Sequence, residues 1–306
     1  MSSFMQLVLM LFGIHVGVIS SNWLLSVFAM EWSMFFFIFL LGNYNKMNMS
    51  IISIKYFFAQ TIGSILLFLG GLEVWYNMGE GVIFPVITLI GFSLKLGVFP
   101  FHFWVIPINS SLPYFPLSLV NSILKIVPLC LLQSMYSMQE SVMVCYMLCM
   151  LAGGSLISGA LIGQGCLTVR SMLGASSIVH AGWFLLAVMC WDMFKYLFVY
   201  STSLFLFLFS LNYWGQLPSW IGLYALAGLP PFSVFFGKLM ILSGLLSMQL
   251  TFLIVVVALG SSALSLLYYL KFMFNLYLMT GSGKGTMIGW FIWLMVNLFG
   301  LLFLII

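Results

Sequence analysis

Four charged residues lie inside otherwise apolar stretches of this sequence. Glu31 lies in WLLSVFAMEWSMFFFIFLLG, Lys95 in GVIFPVITLIGFSLKLGVF, Lys125 in LSLVNSILKIVPLCLL and Lys238 in FSVFFGKLMILSGLL. A charge at the centre of a bilayer costs at least ~2.5 to 3.5 kcal/mol on insertion scales, so an acid and three lysines at that depth indicate ion or proton handling. Because a carboxylate favours the charged form of a nearby lysine, a change in its distance would switch the lysine between holding and releasing a proton.

Each of these charges also has a structural interpretation. A lysine near a helix end can extend its ammonium to the membrane surface, but Lys95 and Lys125 have many apolar residues on both sides. Lys238 lies closer to a proline break, and a functional role is favoured there as well. Glu31 could be a counter-charge that ties one lysine into the bundle, which is compatible with function.

The three histidines stand alone in apolar surroundings, without the paired spacing of a metal or haem site. His102 follows a proline and is a candidate proton carrier between Lys95 and Lys125. His180, in ASSIVHAGW, has two serines one turn before it, so hydrogen bonding between helices and proton transfer both stay open. His15 is interpreted as structural.

The composition places the whole chain in lipid. Of its 306 residues 64% are hydrophobic and 5% charged, and a soluble core cannot hide that much apolar surface. The long apolar runs lack the period-two alternation of barrel strands, which leaves helices. The net charge of +4 is small and dispersed, which excludes a nucleic-acid surface. We interpret the cysteines as buried small hydrophobic residues, since they lack zinc-site spacing.

Division into spans of about 20 apolar residues predicts an all-α polytopic membrane protein of eleven transmembrane helices. Their centres fall near residues 12, 32, 61, 90, 124, 152, 181, 205, 232, 261 and 297. The connections are short and polar, so we expect a single transmembrane domain over 1–306 with no cofactor or metal of its own.

Loop charges predict the orientation of the chain. Loops after even-numbered helices carry only positive charges: Lys46, Lys55, Arg170, Lys271 and Lys284. Loops after odd-numbered helices carry Glu73, Glu80, Glu140 and Asp192, with Lys195 as their one cation. By the positive-inside rule the N-terminus lies on the side of the membrane that carries the positively charged loops, and the C-terminus lies on the opposite side.

Prolines predict two broken helices. Pro100 interrupts the fourth helix five residues after Lys95, and the Pro230–Pro231 pair interrupts the ninth just before Lys238. The breaks are five helices apart, and two tandem five-helix units have opposite membrane orientation because five is odd. We therefore predict inverted repeats over about 1–135 and 140–275, with an added helix at 286–306.

Two glycine motifs have structural explanations. Gly159 and Gly163 have GxxxG spacing, which is typical of close helix contact. The loop GSGKGT departs from the Walker pattern at Leu278 and Gly285, so it is interpreted as a basic turn.

Four motifs in order carry a resemblance over about residues 20 to 275: KYFFAQTIGSILLF, LKLGVFPFHFWV, LGASSIVHAGW and LAGLPPFSVFFGK. Together they resemble the subunit 2 family of mitochondrial NADH:ubiquinone oxidoreductase, respiratory complex I, an antiporter-like subunit family. Animal members look like a fourteen-helix subunit without its first three helices, in agreement with eleven here.

The resemblance implies a proton path through Glu31, Lys95, Lys125 and Lys238. It implies that Glu31 pairs with Lys95, that Lys125 is the central relay, and that Lys238 communicates with the far exit. NADH, FMN, iron-sulfur clusters and ubiquinone would be bound by partner subunits, and this chain would hold none of them.

The prediction is therefore a proton-translocating subunit of complex I in the mitochondrial inner membrane, with its N-terminus on the matrix side and its C-terminus in the intermembrane space. Its expected partners are other membrane-arm subunits, including neighbouring antiporter-like and supernumerary ones, and membrane lipids. Two alternatives stay open: a secondary cation/proton antiporter subunit, and a structural membrane scaffold without its own proton path.

Overall fold

A computed structural model of the chain describes residues 2–44, 47–76, 83–138, 142–214, 216–230, 232–248 and 252–279. Within these ranges the regular structure is entirely helical. The α-helices, in chain order, are α1 Ser3–Ile19, α2 Trp23–Gly42, α3 Met47–Tyr76, α4 Ile83–Leu96, α5 Val105–Ser111, α6 Tyr114–Asn121, α7 Ile126–Met138, α8 Val142–Gln164, α9 Val169–Met189, α10 Met193–Phe209, α11 Gln216–Ala227, α12 Ser233–Ser247 and α13 Phe252–Met279.

Long apolar helices make this a multi-pass membrane protein. In the described part of the chain seven helical segments are long and apolar enough to cross a bilayer: 23–42, 49–72, 114–138, 142–164, 169–189, 193–212 and 252–278. α1, α4 and α12 are shorter apolar helices. The predicted eleventh helix and the basic turn GSGKGT lie outside the described residues, so the count of eleven and the inverted repeat stay predictions.

The fourth predicted helix is broken, but three residues before its proline. α4 ends at Leu96, and Gly97 takes a left-handed φ of 70°. The Val98 amide then donates to the Ser93 carbonyl at 2.9 Å, the 6→1 bond of a Schellman motif. Pro100, on a cis peptide bond, follows the break rather than making it.

The ninth predicted helix is broken in the same way. α11 ends at Ala227, and Gly228 has a φ of 75°. The Gly228 amide donates to Ala225 at 3.1 Å and the Leu229 amide donates to Tyr224 at 3.4 Å. Pro230 follows, and its neighbour Pro231 lies outside the described residues. Both predicted breaks are therefore made by a glycine that ends a helix.

A third break was not predicted. Between α6 and α7 the backbone forms a short 3-10 turn, Ile123–Lys125, after Ser122 at φ −123° and ψ −75°. Pro128 explains it, because a proline has no amide to donate to the carbonyl four residues earlier and its ring crowds that position. α10 also continues into a π-helical segment, Ser210–Trp214, which the sequence did not indicate.

α9 is the central helix of the bundle. Every residue from Met172 to Met189 is buried. Its small residues allow this: a Cβ at Gly182 would contact the Ala152 carbonyl at 3.0 Å, and one at Gly174 would lie 3.2 Å from the Ile106 backbone. Gly159 of α8 lies equally close to α9, in agreement with the GxxxG prediction.

Several charges assigned to loops lie inside helices. Lys55 is an exposed residue in the first third of α3, and Lys271 is exposed near the end of α13. Lys195 lies in the first turn of α10, 3.7 Å from Asp192. Lys46, Glu80, Glu140 and Lys284, together with the Glu73 side chain, lie outside the described residues.

Candidate functional site

Glu31 and Lys95 form an ion pair between α2 and α4. The Lys95 Nζ donates to the Glu31 Oε1 at 2.6 Å, and their side chains are 3% and 20% exposed respectively. Glu31 borders a groove of about 690 Å³ between α2 and α3, whose other lining is largely apolar. A charged pair therefore lies among apolar helices, with its acid toward the outside of the bundle and its lysine inside.

The end of α4 positions Lys95. The lysine lies in the last turn of α4, where the partial negative charge of the helix C-terminus favours a cation. The free carbonyls of that turn are satisfied by side chains: Trp104 donates to Leu94 at 3.0 Å, and Gln60 donates to Lys95 at 3.3 Å. Side chains thus satisfy two of the carbonyls that the end of α4 leaves free.

Lys125 is buried at the unpredicted break between α6 and α7. It is 4% exposed, and its Nζ donates to the Ser177 carbonyl of α9 at 3.3 Å. The bond joins α9 to the 3-10 turn. The second lysine of the predicted row is therefore held by the backbone of the central helix rather than by a carboxylate.

Lys238 reaches back from α12 to the end of α11. Its Nζ donates to the Ala227 carbonyl at 3.0 Å and lies 5.7 Å from the Trp183 ring centre. The side chain is buried, and a Cβ on Gly228 would lie 3.1 Å from the Nζ. Glycine at 228 therefore supplies both the left-handed turn and the room for the ammonium.

His180 lies between the second and third lysines. It is 1% exposed on α9, three residues after Ser177, whose carbonyl accepts from Lys125, and three residues before Trp183, whose ring lies 5.7 Å from the Lys238 Nζ. The His180 Nδ1 shares a hydrogen bond of 2.8 Å with the Tyr196 hydroxyl of α10. Lys238 alone satisfies a free carbonyl at the end of α11, and the buried α9 carries both His180 and the carbonyl that holds Lys125.

Both the sequence and the fold of this chain are similar to those of known proteins. The family described as NADH:quinone oxidoreductase/Mrp antiporter, transmembrane, matches residues 20–219. That is about two thirds of the chain, and it includes Glu31, Lys95, Lys125 and His180. The chain belongs to this family. NADH-ubiquinone oxidoreductase chain 2 of Albinaria caerulea, a relative, is 34% identical over 86% of this chain and 85% of its own length.

Solved structures of other proteins share the fold of this chain. A chain of respiratory complex I from Thermus thermophilus superposes with a TM-score of 0.81 at 20% identity, over 99% of this chain and 77% of that one. A chain of the Mrp complex from Dietzia has a TM-score of 0.76 at 16% identity, over 92% and 61%. The antiporter-like subunit fold of complex I is therefore established for this chain.

The structure places His102 apart from the contacts described above. Its ring stacks on Phe99 with centroids 5.9 Å apart, and its Nδ1 has no hydrogen-bond partner among the described residues. Its proposed bridge from Lys95 to Lys125 stays a prediction.

The carbonyl groups that accept hydrogen bonds from Lys125 and Lys238 were not predicted from the sequence. The carbonyls of Ser177 and Ala227 carry no side-chain signature, and only the Gly-Leu-Pro-Pro run after Ala227 marks one of them. Pro128 could have indicated the break at Lys125. Lys95 and Lys238 are held at helix ends, and Lys125 is held at a break between two helices, so no side-chain motif marks these positions.

Proposed function

We propose that this chain is a proton-translocating subunit of respiratory complex I. The observation that carries the proposal is the set of contacts along α9: the Ser177 carbonyl accepts from Lys125, His180 lies one turn further on, and the Trp183 ring lies 5.7 Å from the Lys238 Nζ. Three titratable groups are thereby linked by one buried helix, and each of them can hold a proton.

In this proposal the ion pair at Glu31 is the control point. Because the Lys95 ammonium is buried against a single carboxylate, a change of charge or position near Glu31 alters how strongly Lys95 holds its proton. The change would pass to Lys125, then through His180 to Lys238, each group accepting a proton and releasing one. The partial exposure of Glu31 supports an input from the side of the bundle.

The remaining assignments follow the same proposal. Electron transfer from NADH to ubiquinone would take place in partner subunits, which would hold the NADH, FMN, iron-sulfur and ubiquinone sites. The chain would contact other membrane-arm subunits of the complex and lipids. It would lie in the mitochondrial inner membrane with its N-terminus in the matrix, and its eleven helices would form the inverted repeats 1–135 and 140–275 plus the helix 286–306.

The test is replacement of Lys125 by methionine, which keeps length but removes the charge. We expect the complex carrying Lys125→Met to assemble and to pump protons about 10²-fold more slowly, the factor typical of a lost proton-transfer group. Proton uptake by inverted vesicles and NADH oxidation are measured together. The matched control is Lys195→Met, which removes a partly exposed lysine paired with Asp192. Unaltered pumping in Lys125→Met would reject the proposal.

The second candidate is a cation/proton antiporter subunit, favoured by the similarity to a chain of the Mrp complex. It predicts sodium movement driven by a proton gradient without NADH, and purification without redox partners. A scaffold role instead predicts that replacing Glu31, Lys95, Lys125 and Lys238 together leaves proton pumping unaltered.

A further inference from the structure

A lateral groove runs between α6 and α10, beside the end of α2. Its volume is about 660 Å³, which is within the range of ligand pockets, about 300 to 1,000 Å³. Apolar side chains form most of its wall, among them Phe205 and Leu206 of α10. Phe115 and Phe209 also line it and are each 44% exposed, so the groove is open at the side of the bundle. An apolar molecule can therefore enter it from the membrane.

The polar side chains of the groove lie at helix ends. Tyr114 is the first residue of α6, Tyr44 lies two residues after the end of α2, and Asn212 lies in the π-helical segment after α10. Phe205 precedes Asn212 by seven residues, which is about 10 Å along a helix axis. Tyrosines are enriched where a membrane meets water, because the ring is apolar and the hydroxyl polar. The groove thus has a polar end near the membrane surface and an apolar end deeper in the membrane.

Arg170 supplies a positive charge at the polar end of the groove. It is the second residue of α9, and its guanidinium lies 4.7 Å from the centre of the Tyr114 ring. Its side chain is half-buried, and among the described residues it forms no ion pair with a carboxylate. A guanidinium has five N–H donors in a plane, a geometry that matches the oxygens of a phosphate. The charge therefore favours an anion at this end of the groove.

The hydroxyl group in the wall of the groove is already satisfied. Ser118 is 2% exposed, and its hydroxyl donates to the Phe115 carbonyl at 2.6 Å within α6. Hydrocarbon placed against this wall therefore leaves no serine hydroxyl unpaired. The groove suits an acyl chain along its wall and an anion at its polar end.

We propose that this groove binds a phospholipid. The phosphate is held by Arg170 and by the Tyr44 and Tyr114 hydroxyls, and an acyl chain lies between α6 and α10. Phosphate and hydrocarbon follow one another in a phospholipid in the same order as the charge and the apolar wall follow one another here. Basic pockets between transmembrane helices are a general form of headgroup site. The inference goes beyond the proposed proton relay and does not depend on it.

The test is photolabelling of the intact complex after loosely bound lipid has been washed away. The probe is a phosphatidylglycerol with a diazirine on its acyl chain, and mass spectrometry of the digested complex identifies the labelled residues. We expect label on the walls that α6 and α10 contribute, displaced by excess dioleoylphosphatidylglycerol but not by dioleoylglycerol, which has no phosphate. Arg170→Gln should raise the lipid concentration for half-maximal labelling at least about tenfold, the effect of losing a hydrogen bond to a charged group.

Two further variants complete the experiment. Lys195→Gln is the control, since it removes a partly exposed lysine that is paired with Asp192, and it should leave labelling unaltered. Leu206→Trp keeps the arginine and fills the groove, so it should abolish the label on α6 and α10, and it tests the site even where Arg170→Gln does not assemble.

Three results would overturn the phospholipid site. Equal labelling of Arg170→Gln and the unsubstituted complex would show that the arginine does not recognise the lipid, and equal displacement by dioleoylglycerol would show that the phosphate is not recognised. Absence of label from α6 and α10, with density for a helix of another subunit in the groove, would make the groove a protein contact instead.

Discussion

The two side chains of the Glu31–Lys95 ion pair are buried to different extents. The lysine side chain is 3% exposed and the carboxylate 20%, so removing the acid leaves a more deeply buried charge than removing the base does. Loss of one partner of a buried pair costs about 3 to 5 kcal/mol, because the other charge stays uncompensated. We therefore expect Glu31→Gln to destabilise the complex by about 3 kcal/mol and Lys95→Met to cost less.

The double variant Glu31→Gln/Lys95→Met supplies the control for this asymmetry. It removes both charges, so its thermal inactivation midpoint should lie above that of Glu31→Gln. A double-mutant cycle on these midpoints isolates the interaction from the two separate losses. Equal midpoints for the two single variants would show that the difference in exposure does not matter.

At the scale of elements, the glycines that end α4 and α11 hold the lysines in place. An alanine at Gly97 must take a φ near 70° and would meet the Val105 side chain. The left-handed conformation alone costs about 1 to 2 kcal/mol for a residue with a Cβ. We expect Gly97→Ala to lower the thermal stability of the complex by more than that amount.

Gly260→Ala is the matched control, since nothing lies within 4 Å of the Cβ position at Gly260 in the middle of α13. There alanine should stabilise the helix by about 0.5 to 1 kcal/mol. Thermal inactivation of both variants is measured under one condition. A Gly97→Ala complex as stable as Gly260→Ala would contradict the role given to the α4 terminus.

The elements also show what a sequence can and cannot predict. The buried lysines and the order of the described helices could be predicted from the sequence, because a charge inside an apolar run is costly and marks a buried site, and because lipid requires backbone groups to be bonded within helices. The exact helix ends could not be predicted. Gly97 ends α4 three residues before Pro100, and Pro128 removes a hydrogen bond to the carbonyl four residues before it. The acceptors at Ser177 and Ala227 are backbone atoms, so only packing of α9 against its neighbours brings them to the lysines.

At the scale of the whole molecule, the number of membrane crossings between two exposed residues determines whether they lie on the same face or on opposite faces. The chain passes from the α8–α9 connection through α9, through α10, and through α11 with α12 before it reaches Met248. If the broken pair α11 and α12 crosses once, Leu167 and Met248 lie on opposite faces. Both are exposed, at 89% and 40%, so a cysteine at either position is open to labelling.

The last prediction is that Leu167→Cys and Met248→Cys react from opposite sides with a membrane-impermeant maleimide. Since the side of Leu167 also carries Arg170 and Lys271, we expect it to face the matrix by the positive-inside rule. Inverted inner-membrane vesicles should therefore label Leu167→Cys, and mitoplasts should label Met248→Cys. The unsubstituted complex gives the background from the five native cysteines. Labelling from one side for both variants would show that α11 and α12 do not cross as a single span, and the reverse pattern would show that the orientation is inverted.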